Sequence, residues 1–352
     1  MSERKQALQQ PEKAASMEKR RKITINDIAK EAGVSRSLVS SVLTNIQKGE
    51  KIYRVSEETT MKILQIIDKY DFRPSYSARA LRSGNNHTIG VILSDISNRF
   101  FSVVSRNIVN CAQKQGYMVM FGNTDEKPEN LSENIETFRS KGVQGFIVVP
   151  CVGAEDTIMH YKEQGVPIVL LDRDFKNSGL SSVTLDNRKA SVQLTDRLIS
   201  EGYRKIELVS YSTELGIIKD RENAYIDRMK ECGHEVHTKV HRPQYCNFEE
   251  VENLILDATA RGVEALVFTT YRMALLGRRA TLRHNISSPC AFACFNNADT
   301  FDIYEKGMYY VKQPIEQFAE NAVSLIIREL EENGEKEYTK IILEPQIETT
   351  EY

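Results

Sequence analysis

One repeating pattern begins at Thr88, continues through most of the remaining chain and limits the folds that the chain can adopt. Short runs of β-branched and apolar residues alternate with amphipathic segments of helix length. Continuous apolar strands, each followed by a helix, predict a parallel sheet that helices cover on both faces. The predicted strands are residues 88–93, 117–121, 145–149, 167–171, 205–210, 263–268 and 290–295.

The predicted strands fall into two groups, which indicates two similar doubly wound lobes with a cleft between them. In open α/β sheets, ligands bind beyond the carboxyl ends of the strands, so the cleft is the expected binding site. We expect the first lobe to comprise about residues 86–186 and 314–338. The second lobe should comprise about residues 187–313 and 339–352.

The net charge of −2 conceals an asymmetry along the 352 residues. Residues 1–84 contain 17 Lys and Arg against 10 Asp and Glu, whereas residues 85–352 contain 30 against 39. A basic N-terminal part on an acidic body is typical of a protein that binds nucleic acid through one end.

Composition and the first residues bear on location. No apolar run approaches the roughly 18 residues that span a bilayer, and the first 22 residues are polar, without the apolar core of a secretory signal. We therefore expect a cytoplasmic protein. The six cysteines lack C-x-x-C spacing, which favours reduced thiols over disulfides or a zinc site.

The basic N-terminal part has the pattern of a disordered leader, residues 1–21, followed by a three-helix domain, residues 22–72. Thr24 and Asp27 have the spacing of a capping box that begins the first helix, and a second helix runs over about residues 36–44. The third helix should pack inward through Ile63, Leu64, Ile67 and Tyr70.

Three residues at helix-turn-helix spacing carry the strongest functional signal. Ala29 lets two helices approach, Gly33 supplies the positive φ of the turn, and Val39 locks the second helix against the first. The polar outer face of the second helix is suited to the major groove of DNA. Pro74 then interrupts the helical pattern. Residues 73–85 are predicted to be a hinge that forms a helix only under some conditions.

Together these segments resemble the LacI/GalR (lactose-repressor) family of bacterial transcriptional regulators. The resemblance runs from about residue 23 to the C-terminus and is looser after about residue 210. It implies a small all-α helix-turn-helix domain joined to an α/β periplasmic-binding-protein-like module of two doubly wound parallel-sheet lobes. The matching motifs are TINDIAKEAGVSRSLVSSVL (24–43), RVSEET (54–59), RPSYSARALRSG (73–84), TIGVILSDISNRFF (88–101), LLDRD (170–174) and VKQP (311–314).

The resemblance also implies which residues contact DNA. Arg36 and Ser37 match the two base-reading positions of the recognition helix, and arginine can donate two hydrogen bonds to guanine. Ser41 stands where many relatives have arginine, so either one base contact is absent or Arg36 supplies it. Ala78 and Leu81 match hinge positions that enter the minor groove, which requires two hinges side by side and hence a homodimer. The other expected contacts are Thr24, Ser35, Leu38, Ser40 and Thr44.

The same resemblance places an effector, a sugar or sugar derivative, in the cleft. The expected ligand residues are Asp95, Asn98, Phe100, Arg173, Arg221, Tyr271 and Asn296. Tyr271 and Asn296 lie where relatives often carry aspartates. Because carboxylates are lost there while Arg173 and Arg221 remain, the sequence predicts a more positive cleft and an anionic or less hydroxyl-rich ligand.

These features predict a repressor that binds a near-palindromic operator as a homodimer and responds to a small-molecule effector. A regulator of the same family without a small-molecule effector remains an alternative, and inducer or corepressor, dimer or tetramer, stay open. The sequence lacks the P-loop, H-E-x-x-H and G-x-S-x-G motifs, so neither an enzyme nor a cofactor is expected. A solute-binding protein for a transporter would not carry the DNA-binding head.

Overall fold

The computed structural model describes residues 23–48, 55–72, 86–234, 238–286, 290–296, 307–331 and 337–350. The chain divides into two compact units, Met1–Gly84 and Asn85–Tyr352. No helix in the described ranges has both the length and the apolar character needed to cross a membrane.

In the described part of the first unit, residues 23–48 and 55–72, three helices pack around a small apolar core. Its helices are α1 (Ile25–Ala32), α2 (Arg36–Lys48) and α3 (Glu57–Lys69). Ile28, Val39 and Ile63, one from each helix, are fully buried in this core. The predicted capping box is confirmed: the Thr24 hydroxyl accepts from the Asp27 backbone N–H at 3.4 Å, and the Asp27 carboxylate accepts from the Thr24 N–H at 2.8 Å.

Two details of this unit differ from the sequence prediction. Helix α2 extends to Lys48, beyond the predicted end near residue 44. In α3 the inward position near the C-terminus is Ile66, which is 7% exposed, and not Tyr70, which is 38% exposed. The reason is that α3 ends at Lys69, so Tyr70 serves as the C-cap and leaves the buried face.

The second unit contains two six-stranded sheets. In spatial order, the first sheet consists of β11 (Lys340–Leu343), β5 (Ser181–Leu185), β4 (Ile168–Asp172), β3 (Gly145–Val148), β1 (Thr88–Leu93) and β2 (Met118–Asn123), all parallel. The second consists of β12 (Gln346–Thr349), β10 (Tyr309–Lys312), β9 (Ala291–Phe295), β8 (Ala265–Phe268), β6 (Ile206–Val209) and β7 (Lys239–His241), with β12 antiparallel to β10 and the other neighbours parallel.

Helices cover both sheets. The first sheet packs against α4 (Arg99–Lys114), α5 (Pro128–Ser140), α6 (Glu155–Glu163) and α11 (Ile315–Glu331). The second packs against α7 (Asn187–Ser200), α8 (Gly216–Glu231), α9 (Phe248–Ala260) and α10 (Tyr271–Arg283). All six residues of β1 are buried, as expected for a strand covered on both faces. The predicted fold class is therefore confirmed.

One expected lobe boundary is wrong. We expected all of residues 339–352 in the second lobe, but β11 pairs with β5 of the first sheet and only β12 joins the second. Pro345 separates these two short strands, so this segment crosses from one lobe to the other.

Two helical glycines provide a test of how tightly α10 packs on its sheet. A Cβ added at Gly277 would lie 2.9 Å from Phe268 and 3.0 Å from Phe292, whereas one at Gly216 would meet nothing within 4 Å. We expect Gly277→Ala to lower the free energy of unfolding by about 1–3 kcal/mol through overpacking. Gly216→Ala should leave it unchanged or raise it by about 0.5 kcal/mol. Urea denaturation followed by circular dichroism measures both; equal effects would contradict the close approach.

Candidate DNA-binding face and ligand cleft

Helix α2 separates its apolar and polar residues onto two faces. Val39 and Val42 are fully buried in the core of the first unit, whereas Arg36, Ser37 and Ser41 are exposed. The exposed face thus carries the predicted base-reading residues, and the long side chain of Arg36 lies in the first turn of the helix. This is the geometry that a recognition helix needs, because the buried valines fix the helix while its polar face stays accessible.

The turn before α2 is built as the sequence predicts. Gly33 adopts φ 72° and ends α1 in the left-handed conformation that glycine favours. The Ser35 hydroxyl accepts from the Leu38 N–H at 3.2 Å and lies 2.9 Å from the Ser37 hydroxyl. Leu38 is half-buried against the core, so only part of its side chain is available to a thymine methyl group.

Not every expected DNA contact falls within the described part of the chain. Thr24 is exposed and belongs to the capping box, and Ser40 is half-buried on α2. The side chain of Thr44, and the hinge residues Ala78 and Leu81, lie outside the described residues. Their roles stay predictions.

In the second unit, a cleft of about 240 Å³ lies between the two lobes, beyond the carboxyl ends of the strands. All seven residues that the sequence singled out for ligand binding line this cleft, so the structure brings them together; they are Asp95, Asn98, Phe100, Arg173, Arg221, Tyr271 and Asn296. The first lobe contributes four of them and the second lobe three. Their role in binding remains a prediction.

Arg173 is held rigidly on the first-lobe side of the cleft. Its two terminal nitrogens donate to the Glu126 carboxylate at 2.7 and 2.8 Å, and Nη1 also donates to the Pro150 carbonyl at 2.9 Å. The Asp172 carboxylate lies 3.8 Å from Arg173 Nε. Burial alone would lower the pKa of Arg173, but the hydrogen bonds and charge of Glu126 outweigh it and the pKa rises. Arg173 therefore stays a fixed cation.

Arg221 is in a different electrostatic environment. It is 4% exposed, its Nε donates to the Asn187 side chain and its Nη1 to the Thr269 carbonyl, both at 2.7 Å, and its guanidinium stacks 3.9 Å over the Phe295 ring. Among the described residues it forms no ion pair. Burial lowers its pKa to about 10, partly offset by the charge of Asp172. Burial also raises the pKa of Asp172. Arg221 therefore offers a charged donor to a ligand that accepts hydrogen bonds, since no carboxylate of the described residues contacts its guanidinium.

The prediction of a more positive cleft compares this chain with its relatives and stays a prediction, but the described residues also place carboxylates beside the two arginines. Asp95, Glu126 and Asp172 line the same cleft as Arg173 and Arg221. The expectation rested on residues lost from the second lobe and overlooked Glu126, which follows β2 in the first lobe. The same reasoning that selected Asp95, a polar residue just beyond a strand, would have found Glu126.

The cleft also contains aromatic rings and polar atoms without partners. The rings of Tyr211 and Tyr245 pack against each other with centroids 4.6 Å apart and their planes tilted by 40°. Within the described residues, four buried side-chain atoms of the lining have no hydrogen-bond partner: Ser94 Oγ, Arg173 Nε, Thr270 Oγ1 and Gln313 Oε1. Buried polar groups are nearly always paired in folded proteins, so a polar ligand or water belongs among them.

Besides Arg173 and Arg221, three of the predicted ligand residues have protein partners. The Asn98 side chain accepts from the Phe100 N–H at 3.0 Å and caps α4. The Tyr271 hydroxyl accepts from the Arg99 N–H at 3.0 Å, and Asp95 accepts from Arg272 at 2.8 Å.

Three further residues of this region were not predicted from the sequence: Arg272 and the neighbouring tyrosines Tyr211 and Tyr245. Tyr211 follows β6 closely, so the rule that selects polar residues beyond strand ends could have found it. No sequence pattern pointed to Arg272, because its contact with Asp95 joins two distant segments of the chain.

The two units thus define a helix-turn-helix domain and a two-lobed periplasmic-binding-protein-like domain. Two family models match the chain: "Bacterial regulatory proteins, lacI family" over residues 24–75, and "Periplasmic binding proteins and sugar binding domain of LacI family" over residues 86–302. The chain belongs to the LacI family, whose members are DNA-binding transcriptional regulators and not enzymes.

Curated relatives are similar over part of their length. The fructose operon regulatory protein of Vibrio cholerae is 26% identical over 254 residues, which cover 71% of this chain and 76% of that protein. The transcriptional regulator RegA of Clostridium saccharobutylicum is 33% identical over 205 residues, which cover 58% of each. The chain therefore spans less than two thirds of the second relative.

Solved structures share the fold. The lac repressor dimer bound to operator and the anti-inducer ONPF matches with a TM-score of 0.79 at 16% identity, covering 94% of this chain and 99% of that one. The Cra transcriptional dual regulator from Pseudomonas putida in complex with fructose 1-phosphate matches with a TM-score of 0.68 at 21% identity, covering 76% and 99%. At these identities the likeness establishes the architecture alone.

The half-buried ion pair between Arg173 and Glu126 should contribute more to the free energy of unfolding than an exposed Arg–carboxylate pair. Glu126→Gln leaves Arg173 buried without its bidentate partner; because the Glu126 side chain is 42% exposed, we expect a loss of about 1–3 kcal/mol. Asp227→Asn breaks the exposed Arg188–Asp227 pair and should cost less than about 1 kcal/mol. Urea denaturation at neutral pH compares them, and an equal loss in both would show that Arg173 does not depend on Glu126.

Proposed function

We propose that this regulator is a repressor that binds a near-palindromic operator as a homodimer, and that a small carbohydrate-like effector in the cleft controls its affinity for DNA. The observation that carries the proposal is the convergence of the predicted ligand residues from both lobes on one cleft that contains unpartnered polar atoms. A ligand that bridges two lobes can shift the equilibrium between their arrangements.

The DNA-binding part of the proposal rests on α2. Its exposed polar face and basic surroundings support entry into the major groove, with Arg36 reading guanine and Ser37 an adjacent base. The hinge, residues 73–85, would pair with its copy in the minor groove through Ala78 and Leu81. As a DNA-binding protein it acts in the bacterial cytoplasm, associated with the nucleoid when bound to its operator.

The chemistry of the cleft supports a hydroxylated ligand. Arg221 offers a buried donor, Asn296 and Gln313 offer amides, and the aromatic rings offer apolar faces on which a sugar ring can stack. Because the other arginine is neutralised by Glu126, a phosphate or carboxylate on the ligand would have to face Arg221. Several similar proteins have names that refer to sugars, including the fructose regulator and a sucrose operon repressor from Klebsiella pneumoniae.

A substitution that keeps the positive charge can test whether Arg36 reads a base. Arg36→Lys keeps the positive charge but loses the planar pair of donors, so affinity for a duplex selected from a randomised pool by the wild type should fall about 5- to 100-fold. Preference for guanine at one position of each half-site should relax, while the salt dependence changes little. Lys114→Ala, an exposed lysine of the second unit, is the control and should bind like the wild type. Identical selected sequences for Arg36→Lys and wild type would contradict the assignment.

The effector can be sought by thermal shift with neutral monosaccharides, sugar phosphates and uronic acids. A compound at about 100 times its Kd should stabilise the wild type by about 2.7 kcal/mol, raising Tm by a few degrees. Arg221→Gln should abolish that shift, and Arg188→Gln, at an exposed arginine, should preserve it. A shift with charged compounds alone would place an anionic group opposite Arg221. If no compound raises Tm, the effector-controlled proposal fails and a regulator without small-molecule effector is favoured.

A further inference from the structure

The first two residues of α10 reach across the cleft to the start of α4. The Tyr271 hydroxyl accepts from the Arg99 backbone N–H at 3.0 Å. Arg272 donates from Nη1 to the Asp95 carboxylate and from Nη2 to the Ser97 hydroxyl, both at 2.8 Å. Three hydrogen bonds therefore connect one helix of the second lobe with one helix start of the first.

The groups that accept from Arg272 are also hydrogen-bonded within their own segment. Oδ1 of Asp95 accepts from the Ser97 N–H at 2.9 Å and from the Ser97 hydroxyl at 2.6 Å, which leaves Oδ2 directed to Arg272. The carboxylate thus has its two oxygens occupied by protein donors. Because the Arg272 guanidinium donates to two neighbouring acceptors, its orientation is fixed. A single contact from a lysine would not fix it.

The pair is partly shielded from water. The Arg272 and Asp95 side chains are 23% and 30% exposed, whereas both members of the Arg188–Asp227 pair are more than half exposed. Partial desolvation strengthens the attraction between charges, so the contact across the cleft should be worth more than an ordinary surface ion pair. All the groups that make the contact belong to the protein.

We propose that Arg272 is a latch that holds the two lobes of the cleft closed by binding Asp95 and Ser97, with Tyr271 on Arg99 as its second point of attachment. On this basis Asp95 and Tyr271 serve lobe closure, and the other five predicted residues of the cleft remain for ligand recognition. The latch concerns regulation of the proposed ligand site and in that respect rests on the proposed function. A ligand would enter through the unlatched state, so the strength of the latch sets how much of the protein is open to it.

The latch is tested by hydrogen exchange of the full-length protein with no ligand or DNA added. Arg272→Gln and Asp95→Asn each keep a polar side chain but remove the ion pair. We expect each to raise amide exchange roughly 3- to 10-fold in residues 97–101 and 270–273, at both ends of the latch. Arg188→Gln breaks an ion pair within the second lobe and should leave exchange in these two segments unchanged.

A double variant distinguishes a latch from two independent local effects. If Arg272 and Asp95 act on each other, Arg272→Gln/Asp95→Asn should exchange like either single variant, because the first change already breaks the pair. Multiplied effects would overturn the proposal, as would unchanged exchange in Arg272→Gln. Far-ultraviolet circular dichroism checks that each variant is folded.

Salt supplies a second readout that needs no substitution. Raising ionic strength from about 0.05 M to about 1 M shortens the screening length from roughly 14 Å to roughly 3 Å. Exchange in the two segments should increase in the wild type and stay constant in Arg272→Gln; equal salt responses would count against the latch. Neither measurement involves an effector, so failure of the effector proposal and failure of the latch produce different results.

Discussion

The parallel arrangement of strands in the two sheets is the constraint on which the rest of the second unit depends. Strands buried on both faces are mostly apolar along their length, so polar groups concentrate where the strands end. Because parallel strands end at the same edge, Asp95, Glu126 and Arg173 come together although they are far apart in the sequence. The cleft is therefore a direct result of how the sheets are covered.

Burying charge at that edge requires compensation, and the two arginines obtain it differently. Arg173 is matched within the first lobe by a bidentate carboxylate, so its position is fixed before any ligand arrives. Arg221 relies on an amide, a carbonyl and an aromatic face, and burial lowers its pKa to about 10. One arginine thus organises the cleft, whereas the other retains capacity for a ligand acceptor.

How much the sequence could predict depended on the range of the interaction involved. The capping box of Thr24, the left-handed Gly33 and the central strands follow from local pattern, and all were predicted. The strands β5, β7, β10, β11 and β12 lie at or next to a sheet edge. They were missed because polar residues such as Thr184, Lys239 and Lys340 shorten the apolar runs from which the other strands were predicted. The Arg272–Asp95 contact joins residues 177 positions apart and has no local signature. The set of charged groups in the cleft was incomplete because it draws on both lobes, and Glu126 belongs to the lobe opposite the replaced carboxylates.

A ligand in the cleft and DNA on the helix-turn-helix domain should affect each other's binding. The direct measurement is a linkage cycle with the compound that gives a thermal shift and the duplex that the protein selects. The Kd for DNA is measured by anisotropy with and without saturating compound, and the Kd for the compound by calorimetry with and without DNA. We predict that both ratios differ from one by about 5- to 150-fold and are equal, because coupling between two sites is reciprocal. The coupling would be contradicted if the compound and the DNA both bind but neither changes the Kd of the other.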